Sequence, residues 1–272
     1  MPRDELLRIF REVGWRGVEE QFVDLISRAI KNRWHPEQLF AEAALIERRH
    51  RERKSLERRM RASKVNQGCK PLKLMADFDW NWPKRIDRDA VEHALCGGLI
   101  DKAENLVLLA AQGLGKTMIG RNIVYQAVMQ GHTALFVEAS QMLLDLTSQE
   151  SSRALGRRLK YYVRPKVLCI DEVGYLSTDG RSADMLFEVI SRRYEQNATV
   201  VTTNLAFVDW PTAFPNASCV AALVDRLTHH ADIVVIEGKS YRRHEAEERQ
   251  KKRPRRTKTS RRSRTAATED SR

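Results

Sequence analysis

Apolar residues along this chain change rhythm near residue 100. Before that point they recur at helical spacing, and after it they come in short blocks separated by amphipathic stretches. Leu6, Leu7, Phe10 and Val13 share one helical face, and Gly14 and Gly17 mark a break. Val18, Phe22, Leu25, Ile26, Ala29 and Ile30 form a second stripe of 3.6-residue period. Pro36 suits the first turn of a third helix, which continues through Leu39, Phe40, Ala43, Ala44 and Ile46. From Arg48 that helix loses its apolar face and stays almost wholly charged through Arg61. It reads as a solvated helix or as a ligand for something acidic.

A loop carrying Pro71, an aromatic run at Phe78, Trp80 and Trp82, and Pro83 leads into the second rhythm. Short apolar blocks predict buried parallel strands near Leu106–Leu109, Thr133–Val137, Lys166–Ile170, Thr199–Thr202 and Ile233–Ile236. Helices are predicted at roughly Thr117–Met129, Ala183–Tyr194 and Val220–His229. Ser140–Val163 holds two helical segments where a simple fold needs one. Strand and helix in strict alternation give an α/β, doubly wound domain with a five-stranded parallel sheet flanked by helices. The expected division is an N-terminal helical partner- or DNA-binding domain at 1–65, the α/β domain at 66–243 and a basic, largely disordered tail at 244–272.

Charge changes this picture. The net charge is +12, yet Arg48–Lys64 alone carries +7 and Arg249–Arg264 carries +10, so the remainder is mildly acidic at −5. An acidic body with two basic segments points to a polyanionic partner. Four scattered cysteines (Cys69, Cys96, Cys169, Cys219) form no C-x-x-C pair, which suits a reducing compartment. Asp4 and Glu5 spoil a signal-peptide pattern and no apolar run approaches membrane-spanning length, so the expected location is cytoplasmic.

The chemistry concentrates after the first strand. Ala110, Ala111, Gln112, Gly113, Leu114, Gly115, Lys116 and Thr117 lie between an apolar strand and a helix, the context of a phosphate-binding loop. Backbone N–H groups there converge on phosphate oxygens, Lys116 reaches the β- and γ-phosphates, and the Thr117 hydroxyl binds Mg²⁺. The alternative is a glycine-bearing turn that binds nothing. The usual first glycine is replaced by Ala110. A second element is Asp171-Glu172, closing an apolar strand at the sheet edge where ligands bind in such folds. Asp171 is expected to hold Mg²⁺ through its water shell and Glu172 to activate the attacking water. Alone, such a pair is an ordinary strand end.

Asn204, after the next strand, either orients that water or forms a turn. Arg226 either reaches the nucleotide of a neighbouring subunit or pairs with a nearby acid such as Asp225. His229-His230 lack ligand spacing with any cysteine and read as packing or a helix end. Arg153, Arg157, Arg158 and Lys160 give the second inserted helix a basic face, either merely solvated or contacting DNA phosphates.

Together these residues resemble the IstB family, AAA+ ATPase helpers of insertion-sequence transposases related to DnaC-type helicase loaders. The resemblance runs from about Leu6 to Arg243. It rests on Phe78–Asp87, Gly113–Thr117, Cys169–Leu176, Leu186–Glu195, Val201–Asn204 and Leu223–Arg242. It implies a P-loop AAA+ fold without a C-terminal lid, ATP with Mg²⁺ at the site, and ATP-dependent assembly of a homo-oligomeric ring or filament on double-stranded DNA. It also implies help to a partner transposase. By the same resemblance Asn204 matches the sensor 1 position, Arg226 the arginine finger, and Ser140–Val163 the DNA-facing insertion. A replicative helicase loader is the alternative on the same fold. A nucleotide-locked DNA scaffold is another, because Ala110-Ala111-Gln112 stands where the family usually has Gly-Pro and a small residue. A Cβ at position 110 is expected to loosen the loop or weaken nucleotide affinity.

Overall fold

All five expected strands form, and every pairing between them is parallel, in the order β2-β3-β4-β1-β5. The computed structural model describes residues 2–66, 71–174, 180–214 and 218–251. Three helices come first: α1 (Arg3–Glu12), α2 (Arg16–Lys31) and α3 (Pro36–Ala62). The α/β part runs α4 (Arg88–Leu95), α5 (Gly98–Asp101), β1 (Asn105–Ala110), α6 (Lys116–Met129), β2 (Ala134–Glu138), α7 (Ala139–Thr147) and α8 (Ser152–Val163). It continues with β3 (Val167–Val173), α9 (Gly180–Arg193), β4 (Ala198–Thr203), α10 (Trp210–Ala213), α11 (Val220–Thr228), β5 (Ala231–Ile236) and α12 (Tyr241–Lys251). No helix among the described residues is long and apolar enough to cross a membrane.

Helices cover both faces of the sheet, as near-continuous apolar strands require. Side chains alternate along β1. Leu106, Leu108 and Ala110 join a core with Val91 of α4 and Ile119, Ile123 and Ala127 of α6, while Val107 joins Met142, Leu186 and Leu223 on the opposite face. The two inserted helices appear as α7 and α8. Ser151 caps α8, its hydroxyl accepting from the Ala154 N–H at 3.2 Å. Arg193 at the end of α9 is fully buried and donates to the Val163 and Pro165 carbonyls, both at 2.8 Å, and to Thr199 Oγ1 at 3.1 Å. It stitches the end of α8 to the start of β4 without any carboxylate.

Three expectations need correction. Gly17 is no break: it lies inside α2, where a Cβ would sit 2.5 Å from the Cβ of His50 on α3. Its N–H donates to Glu47 Oε2 at 2.8 Å, so it is a close-packing position, and only Gly14, with φ of +80°, turns the chain. The charged half of α3 is not simply solvated. Leu56 and Met60 pack against the core beneath α4 and α6, followed by fully buried Val65. Ser63 accepts the Phe136 N–H of edge strand β2 at 2.9 Å, and Arg121 Nε donates to the Val65 carbonyl at 3.0 Å. Much of its charge is also internally paired, as in Arg51–Glu47 (2.7 Å) and Lys54–Glu57 (3.3 Å). Finally, residues 244–251, assigned to a disordered tail, belong to α12. The remaining tail residues 252–272, and Tyr175-Leu176 of the Cys169–Leu176 motif, lie outside the described residues.

Candidate nucleotide site

Because the sheet is parallel, the segments leaving β1, β3 and β4 emerge at one edge. Leu109 pairs with Thr203, and Glu138 with Asp171, at that edge. The loop after β1 turns twice through left-handed backbone, at Gly113 (φ +81°) and Gly115 (φ +94°). Neither tolerates a side chain. A Cβ would lie 2.2 Å from Ser240 Oγ at Gly113 and 2.6 Å from a Phe78 ring carbon at Gly115. α6 starts at Lys116, so its free N-terminal N–H groups face the loop.

Lys116 is nearly buried, and its ammonium donates to the carbonyls of Ala110 and Ala111. Burial holds its pKa below the ordinary lysine value, against the opposing pull of Asp171 and Glu172. Ala110 corrects the concern attached to it. It is the last residue of β1, paired with Ile236, and its φ is not positive. Its Cβ is buried in the core below α6, so that position places no demand for glycine.

Asp171 sits below the loop. Its Oδ1 accepts from Thr117 Oγ1 at 3.2 Å and from Thr202 Oγ1 at 2.5 Å. Burial raises its pKa, and the two hydroxyls pull the other way. A buried carboxylate with two neutral hydroxyl donors, one of them at a helix start, suits a hard oxygen-seeking cation. Thr117 and Asp171 therefore fit Mg²⁺.

Beyond Ile170 the β3–β4 register shifts, and within that irregularity Glu172 adopts φ of +61°. This is a strained conformation for a residue with a side chain. Its N–H donates to Thr202 Oγ1 at 2.9 Å, and its side chain is exposed. Thr202 therefore locks both acids with one hydroxyl, and sequence reasoning missed it. The only signal was its place two residues before Asn204. Asn204 is exposed at the end of β4, at the same edge.

The site is walled by segments that the sequence marked without assigning a role. Trp82 Nε1 donates to the Lys239 carbonyl at 2.7 Å, and its ring meets Tyr241 (centroids 5.5 Å) and His244 (4.3 Å). The Tyr241 N–H donates to the Gly113 carbonyl at 2.9 Å. The aromatic run and the start of α12 thus close over the loop from two sides.

Arg226 does not pair with Asp225. It donates to Ser191 Oγ on α9 and covers the Phe187 ring at 4.7 Å. On α8 the basic residues separate. Arg153, Arg157 and Lys160 are exposed, whereas Arg158 is bound to Asp145 and lies 4.6 Å over the Tyr161 ring. Arg164 extends the exposed row by one more turn.

The family model for IstB-like ATP binding protein matches residues 11–249. A Geobacillus stearothermophilus protein described as ATP-binding, from insertion sequence IS5376, is 33% identical over 214 residues, 77% of this chain and 82% of its own length. The corresponding protein of insertion sequence IS21 from Pseudomonas aeruginosa is 29% identical, covering 80% of this chain and 81% of its own. Among solved structures, DnaI superposes with a TM-score of 0.50 at 19% identity, over 60% of this chain and 89% of that one, which speaks to the fold. With the phosphate loop, the paired acids and a P-loop AAA+ sheet in place, the match over nearly the whole chain means that this protein belongs to the IstB-like ATP-binding family of insertion sequences.

Proposed function

We propose that this protein hydrolyses ATP with Mg²⁺, that it does so faster on duplex DNA, and that ATP-dependent self-association on DNA assists a partner transposase in the cytoplasm. The observation that carries the reading is the cluster of Asp171, Glu172, Thr117 and Thr202 beside the Lys116 loop. It supplies each part that phosphoryl transfer needs: positioning, charge neutralisation and a base.

In this reading the loop N–H groups and Lys116 hold the phosphates, and Lys116 exchanges its two loop carbonyls for phosphate oxygens. Thr117 and Asp171 would hold Mg²⁺, which when bound neutralises charge on the phosphates. Glu172, presented by its left-handed backbone, takes the proton of the attacking water, and Asn204 orients that water. Arg226, supported from behind by Ser191 and Phe187, completes the site of a neighbouring copy. Arg153, Arg157 and Lys160 contact DNA phosphates, joined by Arg164, while Arg158 holds α8 to α7. The relatives' names tie them to insertion sequences, which favours a transposase as partner over a replicative helicase. The scaffold alternative loses its motive, since Ala110 sits in ordinary strand backbone.

The test is Glu172→Gln. ATP binding should persist while turnover falls by about 10²-fold or more, and DNA-bound assemblies should outlast those of the unaltered protein. Wild-type turnover in this variant would sink the proposal.

A further inference from the structure

We propose that Glu195, His229 and His230 form a binding site for a zinc-class metal ion at the outer junction of α9 and α11. The sequence hides it, because Glu195 and His230 lie 35 residues apart. The fold brings the ligand atoms of all three side chains within 4.8 Å of one another. His230 Nε2 stands 3.3 Å from Glu195 Oε1, and the two imidazole centroids are 4.0 Å apart. Metal–ligand bonds of about 2.0–2.1 Å in tetrahedral geometry place donors roughly 3.4 Å apart. One pair, His230 with Glu195, is already at that spacing, and His229 offers a ligand atom within 4.8 Å of both.

The frame around the trio is fixed. The His230 carbonyl accepts the Asn105 N–H at 2.7 Å. The Asn105 side chain bonds in turn to the Leu227 carbonyl (3.1 Å) and the Thr199 N–H (3.2 Å), tying the end of α11 to β1 and β4. Glu195 has left-handed backbone, with φ of +55°, which turns the chain sharply after α9. The Tyr194 hydroxyl lies 2.6 Å from His229 Nδ1. Such an outer partner sets the orientation of a ligating imidazole and leaves Nε2 for the metal.

Two imidazole nitrogens and one carboxylate oxygen are a borderline donor set. It takes Zn²⁺ in preference to Mg²⁺ and leaves a fourth position for water. The ion would bridge the ends of α9 and α11, the two helices that the Arg226–Ser191 contact already joins. Occupancy would thereby restrain Arg226 against α9. Metal binding itself does not depend on the ATPase reading.

The test is calorimetric titration of the full chain with Zn²⁺, repeated in excess Mg²⁺, and with Co²⁺ read by absorption. The expected result is one ion per chain, unaffected by Mg²⁺, with no thiolate charge-transfer band that would implicate Cys96 or Cys219. Tyr194→Phe should weaken binding about tenfold, and Glu195→Gln, His229→Ala and His230→Ala each by more. All three ligands are exposed, so the variants should keep the parent melting temperature. Absence of saturable binding, displacement by Mg²⁺, or parental affinity in the three ligand variants would overturn the proposal.

Discussion

Thr202→Val offers the sharpest probe of the site, because one buried hydroxyl serves both acids. Valine keeps the volume and the β-branched shape, so the strand should survive. What disappears is the bond to Asp171 Oδ1 at 2.5 Å and the acceptor for the Glu172 N–H at 2.9 Å. A buried hydrogen bond to a charged group contributes about 1.5–3 kcal/mol. That bond favours the ionised carboxylate, so its loss should raise the Asp171 pKa further. The sign follows from the direction already present. Burial holds that pKa above the ordinary carboxylate value and the Thr202 hydroxyl opposes the shift, so removing the hydroxyl lets burial act further. A protonated Asp171 cannot hold a cation. The acid limb of ATPase kcat/KM against pH should therefore move to higher pH, and more Mg²⁺ should be needed for half-maximal rate. At the alkaline plateau kcat should still fall, because Glu172 loses the bond that holds its strained backbone. Thr202→Ser, which keeps the oxygen, should restore the acid limb. An acid limb unmoved in a folded valine variant would refute the reasoning.

Four further outcomes are expected. Ala110→Gly should leave ATP affinity within about twofold and lower stability by about 0.5–1 kcal/mol, since the position is strand. A tenfold gain in affinity by fluorescent-nucleotide titration would contradict that assignment. Replacing Arg153, Arg157 and Lys160 together by alanine should flatten the slope of log K against log salt for duplex DNA by about 2.7. Arg158→Ala should lower the melting temperature and leave that slope alone, because Arg158 is spent on Asp145. Arg193→Met should destabilise by about 3–5 kcal/mol, the cost of leaving several buried carbonyls unpaired, seen as a lower urea midpoint at unchanged m-value.

What the sequence revealed depended on how local each determinant is. The β1–loop–α6 unit was legible because strand, glycines and Lys116 lie within one short stretch. The strand ending in Asp171 was legible too, since four apolar residues followed by two acids need no partner to be read. Its continuation to Val173 was not. The bulge at Glu172 depends on Thr202, which arrives from the adjacent strand. The inward side of α3 was invisible for a different reason. Leu56 and Met60 are two apolar positions among charges, too few to make a periodic stripe, yet enough to seat the helix on the core. Gly17 was misread because a glycine needed for close helix contact and one needed for a turn look alike in sequence. His229 and His230 were read only against the cysteines, because Glu195, the acid the fold brings beside them, lies far away in sequence.

Helix α3 has a mechanical consequence. Its N-terminal half packs against α2, its last turn seats on the core, and the residues just after it bond to β2 and α6. A continuous helix of 27 residues is about 40 Å long. It behaves as a boom fixed at its foot to the edge of the sheet, with α1 and α2 carried at the far end. A tilt of about 10° at the foot would sweep that end through roughly 7 Å. Small movements of β2 are therefore magnified at α1 and α2.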